Sequence, residues 1–190
     1  MVIPSEPVSI LVTGPSRSGK SEWAEHLALQ MSESVIYIAT GQENPDDPDW
    51  QARIDRHRQR RPDHWQTLCV SQNLSATLNS LPPPACVLVD SLGGWVANCL
   101  ELSDPDWQSQ QRSLLRILVD CPVSVILVAE ETGWGVIPAY PLGRLFRDRL
   151  GSLIRQVGGQ CQRVYLVTGG YALELSQWGE RLPRENRKFS

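Results

Sequence analysis

Five short apolar runs punctuate the chain, at Val8–Thr13, Val35–Ala39, Cys86–Asp90, Ser124–Ala129 and Arg163–Thr168. Each is rich in β-branched residues and lacks strict alternation, the pattern of a strand covered on both faces. Helical spacing fills the intervals. Trp23 to Met31 places Ala24, Leu27, Ala28 and Met31 on one stripe. Ser71–Leu81, closed by Pro82-Pro-Pro84, reads as a helix, as do Ser91–Leu102, Asp106–Asp120 and Leu142–Val157. Strands alternating with helices predict βαβ crossovers and a mostly parallel central sheet, an α/β fold of three layers. No repeat, low-complexity block or linker interrupts the pattern. Residues 1–190 are therefore expected to form one domain, with its core over about 8–170 and a loosely ordered tail over 176–190.

The first run closes on Gly14-Pro15-Ser16-Arg17-Ser18-Gly19-Lys20-Ser21, a G-x-x-x-x-G-K-S spacing that opens directly into the first helix. Glycines let the backbone curl until successive N–H groups face an anion, and the helix N-terminus adds partial positive charge. Strand, phosphate loop and helix in this order predict a P-loop NTPase-type fold. Gly14 to Ser21 become the phosphate-binding candidates. Lys20 is expected to reach the β- and γ-phosphates, and Ser21 to ligate Mg²⁺. Lys20 and Lys188 are the only lysines in a chain with many arginines, so this lysine is not background.

A magnesium-binding acid belongs at the same sheet edge, and Asp90 ends the third apolar run. An aspartate at that point also suits a cap on the following helix. The fourth run leads into Glu130-Glu131-Thr-Gly133-Trp-Gly135-Val-Ile-Pro138, a glycine-rich loop at the carboxyl edge where ligands gather in open α/β sheets. Either glutamate can face the site or lie in solvent.

Charge alters the picture at Trp50–Arg61, where Arg53, His57, Arg60 and Arg61 share one helical face. Two readings stand. The face is a solvated arginine surface, or it holds a triphosphate beside a histidine kept neutral, hence nucleophilic, by its cationic neighbours. His26 and His64 have weaker claims. The chain as a whole has net charge -3 and pI near 5.6, which argues against a nucleic-acid binder. No run of eighteen apolar residues offers a membrane span, and Met1-Val-Ile-Pro-Ser-Glu-Pro lacks the marks of a signal peptide, so the cytoplasm is the expected compartment. Cys69, Cys86, Cys99, Cys121 and Cys161 show no C-x-x-C and are read as small buried apolar residues.

Several blocks then match one family in order: Leu11-Val-Thr-Gly14-x-x-Arg17-Ser-Gly-Lys-Ser21-x-x-Ala24-Glu25, Tyr37-Ile-Ala-Thr40, Arg53-Ile54-x-x-His57-x-x-x-Arg61-Pro62-x-x-Trp65, Val89-Asp90-Ser-Leu-x-x-Trp95-Val-x-Asn98, Glu131-x-Gly133-x-Gly135-x-x-Pro138 and Phe146-Arg147-Asp148-x-x-Gly151. Over roughly residues 8 to 170 the chain resembles the bifunctional adenosylcobinamide kinase/adenosylcobinamide-phosphate guanylyltransferases of cobalamin assembly. The resemblance implies two transfers: a γ-phosphoryl group from GTP or ATP to adenosylcobinamide, then GMP from GTP to adenosylcobinamide phosphate through a guanylyl-histidine. It implies that His57 is the guanylylated histidine, that Gly14–Ser21, Ala39, Thr40, Gly41, Arg58, Gln59, Arg60, Arg61 and Asp90 bind nucleotide, and that Ser21 and Asp90 hold Mg²⁺. A homotrimer is implied too. The chain departs from the family where a glutamate usually follows the histidine, at or beside Cys69, and where Glu130 replaces the asparagine of an Asn-Glu-Val-Gly loop. Other readings are a guanylyltransferase with weakened kinase activity, a generic small-molecule P-loop kinase, and a non-catalytic GTP-binding regulator. For the large corrin ring, Trp50, Trp65, Trp95 and Trp134 are candidate contacts, with burial in the core as the alternative.

Overall fold

The computed structural model describes residues 6–41, 60–83, 85–135 and 137–183. The five apolar runs become β1 (Ser9–Gly14), β2 (Val35–Ala39), β4 (Cys86–Asp90), β5 (Ser124–Glu130) and β6 (Arg163–Thr168), joined by β3 (Gln66–Cys69) and β7 (Tyr171–Glu174). They form one seven-stranded sheet in the order β3-β2-β4-β5-β1-β6-β7. Every neighbouring pair is parallel except β6 with β7. The described helices are α1 (Lys20–Met31), α2 (Leu74–Ser80), α3 (Leu92–Asn98), α4 (Asp104–Val119), α5 (Pro141–Gln160) and α6 (Leu175–Trp178).

Side-chain alternation splits the core in two. Ile10 and Val12 of β1, Leu88 of β4, and Ile126 and Val128 of β5 pack with Ala24, Leu27 and Ala28 of α1. Leu11, Val87, Val89, Val125 and Leu127 point to the other face, where Leu74, Trp95, Leu114, Leu150 and Leu153 from α2 to α5 cover them. Covered on both faces, these central strands need no polar alternation, which is why they stand out as continuous apolar runs.

The two strands that the apolar pattern does not show are both edges. β3 exposes Gln66, Thr67 and Cys69 and leaves only Leu68 to pack, so it carries no apolar run. β7 extends the sheet beyond β6, the last of the five apolar runs. Gly169 and Gly170, with φ of 59° and 82°, make the two-residue turn that folds β7 back. Positive φ at both central positions suits glycine, and a Gly-Gly pair after an apolar run is a hairpin signal. The stretch read as a loose tail begins inside α6: the Ser176 hydroxyl accepts from the Val164 N–H, and Arg181 donates to the Cys161 carbonyl. Cys86, Cys99 and Cys161 are buried as expected, whereas Cys69 is exposed and Cys121 half-buried.

Arg149, in α5, is buried and closes the turn between α3 and α4. Its guanidinium donates to the carbonyls of Cys99, Leu100 and Leu102 at 2.9, 3.3 and 2.9 Å and to Asp104 Oδ1 at 3.0 Å, with the Trp107 ring 5.4 Å away. These carbonyls follow the end of a helix and have lost water. Replacing Arg149 by Met keeps the apolar bulk but orphans them. Urea unfolding of Arg149→Met is expected to show a loss of about 2–4 kcal/mol; an unchanged midpoint would show that the bonds do not hold the turn.

Candidate active site

The parallel register brings the carboxyl ends of four strands to one edge of the sheet. Gly14 pairs with Glu130, Asp90 with Val128, and Ala39 with Asp90. Gly14 thus ends β1 two residues' depth from the acid that ends β4, with β5 between them.

The loop from Gly14 to Gly19 has the expected curl. Arg17 has φ of 59° and Gly19 φ of 92°, and α1 begins at Lys20 without any side-chain cap. Its first N–H groups are left for an anion, as a phosphate site requires. Lys20 is buried and lies back over the loop, Nζ donating to the Pro15 carbonyl at 3.3 Å. Gly14 is packed so tightly that a Cβ there would lie 2.3 Å from the Val167 carbonyl oxygen and 2.7 Å from Ser18 Oγ. Ser21 is half-buried at the start of α1, while Ser16 and Arg17 are exposed at the loop's tip.

Asp90 does not cap the next helix. That part is played by Ser91, whose hydroxyl accepts from the Gly94 N–H at 3.2 Å. Asp90 Oδ2 instead accepts from the Tyr37 hydroxyl at 3.1 Å. Burial first, then the Asp90 charge, pushes the Tyr37 phenol far above its ordinary value, so it stays a donor. Arg61 stacks on the same ring, 3.7 Å from its centroid. Arg60 Nη1 meets Glu22 Oε1 at 2.9 Å, and its Nε lies 3.4 Å from Glu25 Oε2. Burial raises the Glu25 carboxyl pKa, with Arg60 opposing the shift.

Of the other expected nucleotide contacts, Ala39 and Gly41 lie at the end of β2, Gly41 exposed. Thr40 is fully buried, and its hydroxyl donates to the Ser91 carbonyl at 2.6 Å while accepting from the Ser91 N–H at 2.9 Å. Its side chain is a brace between β2 and β4, and its backbone is engaged too, the N–H donating to the Asp90 carbonyl at 3.4 Å and the carbonyl accepting from Asn98 Nδ2 at 2.7 Å. His57, Arg58, Gln59, Arg53 and Trp50 lie outside the described residues. His26 and His64 are exposed, with His26 against Gln30 and Trp23 on the outer side of α1.

Two further groups at the site have partners that the residue patterns do not assign. Tyr37 holds Asp90, and its signal was present: a tyrosine in a run of aliphatic residues must find a partner for its hydroxyl. Glu130 Oε1 accepts from Ser91 Oγ at 2.7 Å, and Oε2 is buried against Gly93, where a Cβ would lie 2.0 Å away. Trp65 and Trp95 belong to the core, and Trp134 is exposed.

Residues 10–175 match the family described as cobinamide kinase / cobinamide phosphate guanyltransferase. The chain belongs to this family. It is accordingly a transferase with a kinase and a guanylyltransferase half. The bifunctional adenosylcobalamin biosynthesis protein CobP of Pseudomonas aeruginosa is 40% identical over 167 residues, 87% of this chain and 95% of that one. The bifunctional adenosylcobalamin biosynthesis protein CobU of Escherichia coli is 37% identical over 181 residues, 87% of this chain and 98% of its own. Among solved structures, an ATPase from the type III secretion system of pathogenic bacteria has TM-score 0.54 at 10% identity, covering 90% of this chain and 53% of that one. A Pyrococcus horikoshii OT3 protein has TM-score 0.54 at 8% identity, covering 88% and 85%. Both likenesses concern the fold alone. Among the described residues no helix is long and apolar enough to cross a membrane.

The crowding at Gly14 makes a direct test. In Gly14→Ala the methyl group meets backbone, so the loop must shift, and affinity for a fluorescent GTP analogue is expected to fall at least about tenfold. Unchanged affinity would show that the loop's geometry does not govern nucleotide binding.

Proposed function

We propose that this chain phosphorylates adenosylcobinamide and then guanylylates the product to adenosylcobinamide-GDP, within adenosylcobalamin biosynthesis, using one nucleotide site on the loop after β1. The observation that carries this reading is the loop itself: an uncapped α1 N-terminus with Lys20 folded across it, in a chain of this family.

In the kinase half, loop N–H groups and Lys20 hold the β- and γ-phosphates of GTP or ATP. Transfer then depends on position and on neutralising charge. In the second half His57 attacks the α-phosphorus of GTP. A nitrogen–phosphorus bond forms, the bond to the α–β bridging oxygen breaks, and pyrophosphate leaves with the electron pair. The cobinamide phosphate oxygen then displaces the histidine and receives GMP. Splitting the transfer this way is covalent catalysis. Arg58, Gln59, Arg60, Arg61, Ala39, Thr40 and Gly41 complete the nucleotide's surroundings.

Ser21 and Asp90 offer a hydroxyl and a carboxylate, the hard oxygen donors that suit Mg²⁺, and they are the residues that would hold it. The ion would supply charge neutralisation across the phosphates. Tyr37 keeps Asp90 oriented. A homotrimer acting in the cytoplasm is part of the same reading.

The test is the intact mass of the protein after incubation with GTP and Mg²⁺. A GMP-sized, acid-labile increase is expected in the native chain and is absent from His57→Ala, which still binds GTP. No increase despite GTP binding would overturn the guanylyl-histidine and leave a P-loop kinase or a GTP-responsive regulator.

A further inference from the structure

We propose that Glu131 and the rim that follows it form the acceptor subsite of the kinase step. Glu131 takes the hydroxyl proton, and Trp134, Ile137 and Tyr140 support the apolar body of the acceptor. The inference rests on the kinase reading above.

Five described carboxylates lie around the phosphate loop, and four are engaged: Glu22 meets Arg60 Nη1 at 2.9 Å. Asp90 accepts from Tyr37, and Glu25 faces Arg60. Glu130 is tied to Ser91, with its other oxygen buried against Gly93. Glu131 differs. Its N–H donates to the Gly14 carbonyl at 2.9 Å, and its Oε1 accepts from Thr13 Oγ1 at 2.7 Å. Both anchors lie on β1, at the root of the loop. Among the described residues its Oε2 has no hydrogen bond, and the side chain is only half-buried. β5, which ends one residue before Glu131, runs between β4 and β1, so this carboxylate follows the strand next to the one that ends in Asp90. The ends of these strands are where a hydroxyl must come to meet a γ-phosphate.

The chain then leaves the sheet edge as a rim that exposes Trp134 by 63%, Ile137 by 64%, Tyr140 by 79% and Leu142 by 59%. Single exposed apolar residues are ordinary, but a run of them beside a polar site marks a ligand surface. The rim's far end is docked: Arg144 donates to the Pro138 and Ala139 carbonyls at 3.0 and 2.7 Å. An acceptor whose hydroxyl reaches Glu131 must lay its bulk along this rim, and a corrinoid has a large apolar face to lay there.

In the step, the acceptor oxygen forms a bond to the γ-phosphorus as its proton passes to Glu131 Oε2. The bond from the γ-phosphorus to the β–γ bridging oxygen breaks, and the nucleoside diphosphate leaves with the electron pair.

The experiment measures phosphorylation of adenosylcobinamide from γ-labelled nucleotide, alongside self-guanylylation from α-labelled GTP. Glu131→Gln keeps the acceptor for Thr13 and is expected to lower kinase kcat about a hundredfold with acceptor KM nearly unchanged. Trp134→Ser should raise acceptor KM roughly fivefold at constant kcat. Thr13→Val, which frees the carboxylate, should lower kinase kcat about tenfold. All three should self-guanylylate like the native chain. Native kinase kcat in Glu131→Gln, or equal loss of both activities, would overturn the subsite. A native chain that labels itself with GMP but phosphorylates no adenosylcobinamide would overturn the kinase reading, and the subsite with it.

Discussion

The structure depends on one alignment, the shared edge formed by the carboxyl ends of β1, β5 and β4. Parallel register sets Gly14 against Glu130 and Asp90 against Val128, so the glycine-rich loop, a glutamate pair and Asp90 emerge along one edge. Burial holds the register: a slip of one residue would turn Ile10, Val12, Ile126 and Val128 away from α1. Stability and site geometry are therefore the same constraint, and the polar edge groups can be closely spaced because the apolar strands beneath them cannot move.

On that base, electrostatics are arranged around a ligand that brings several negative charges. Lys20 and the α1 N-terminus face the loop, while nearby acids are each given a partner: Tyr37 for Asp90, Arg60 for Glu25, Ser91 for Glu130. Thr40 and Ser91 lock β2 to β4 through reciprocal hydrogen bonds. These carboxylates are thus oriented by the protein itself, which in the proposed reaction lowers the reorganisation that binding and transfer require.

The central strands were readable because burial on both faces writes an apolar run into the sequence, and the loop because its backbone path demands glycines at set spacing. β3 was not, since an edge strand with a single packed residue, Leu68, carries no such run. β7 left its signal only in Gly169-Gly170. Within the site, chemistry and spacing point to Lys20, Ser21 and Asp90 as candidates. Thr40 was named as a nucleotide contact, yet its hydroxyl is spent on Ser91, and Asp90 turned out not to be a cap. Those outcomes depend on which residues become neighbours across strands 50 or so positions apart, which no local pattern encodes. Trp65 and Trp95 entering the core, with Trp134 left outside, is the same lesson in packing.

In the proposed reaction one phosphate site serves both transfers. Lys20→Ala tests it most directly, with circular dichroism to confirm the fold and both half-reactions followed in the same preparation. Phosphorylation of adenosylcobinamide and self-guanylylation are each expected to fall by at least about a hundredfold. Survival of either activity at near-native rate would contradict the shared site and require a second nucleotide site.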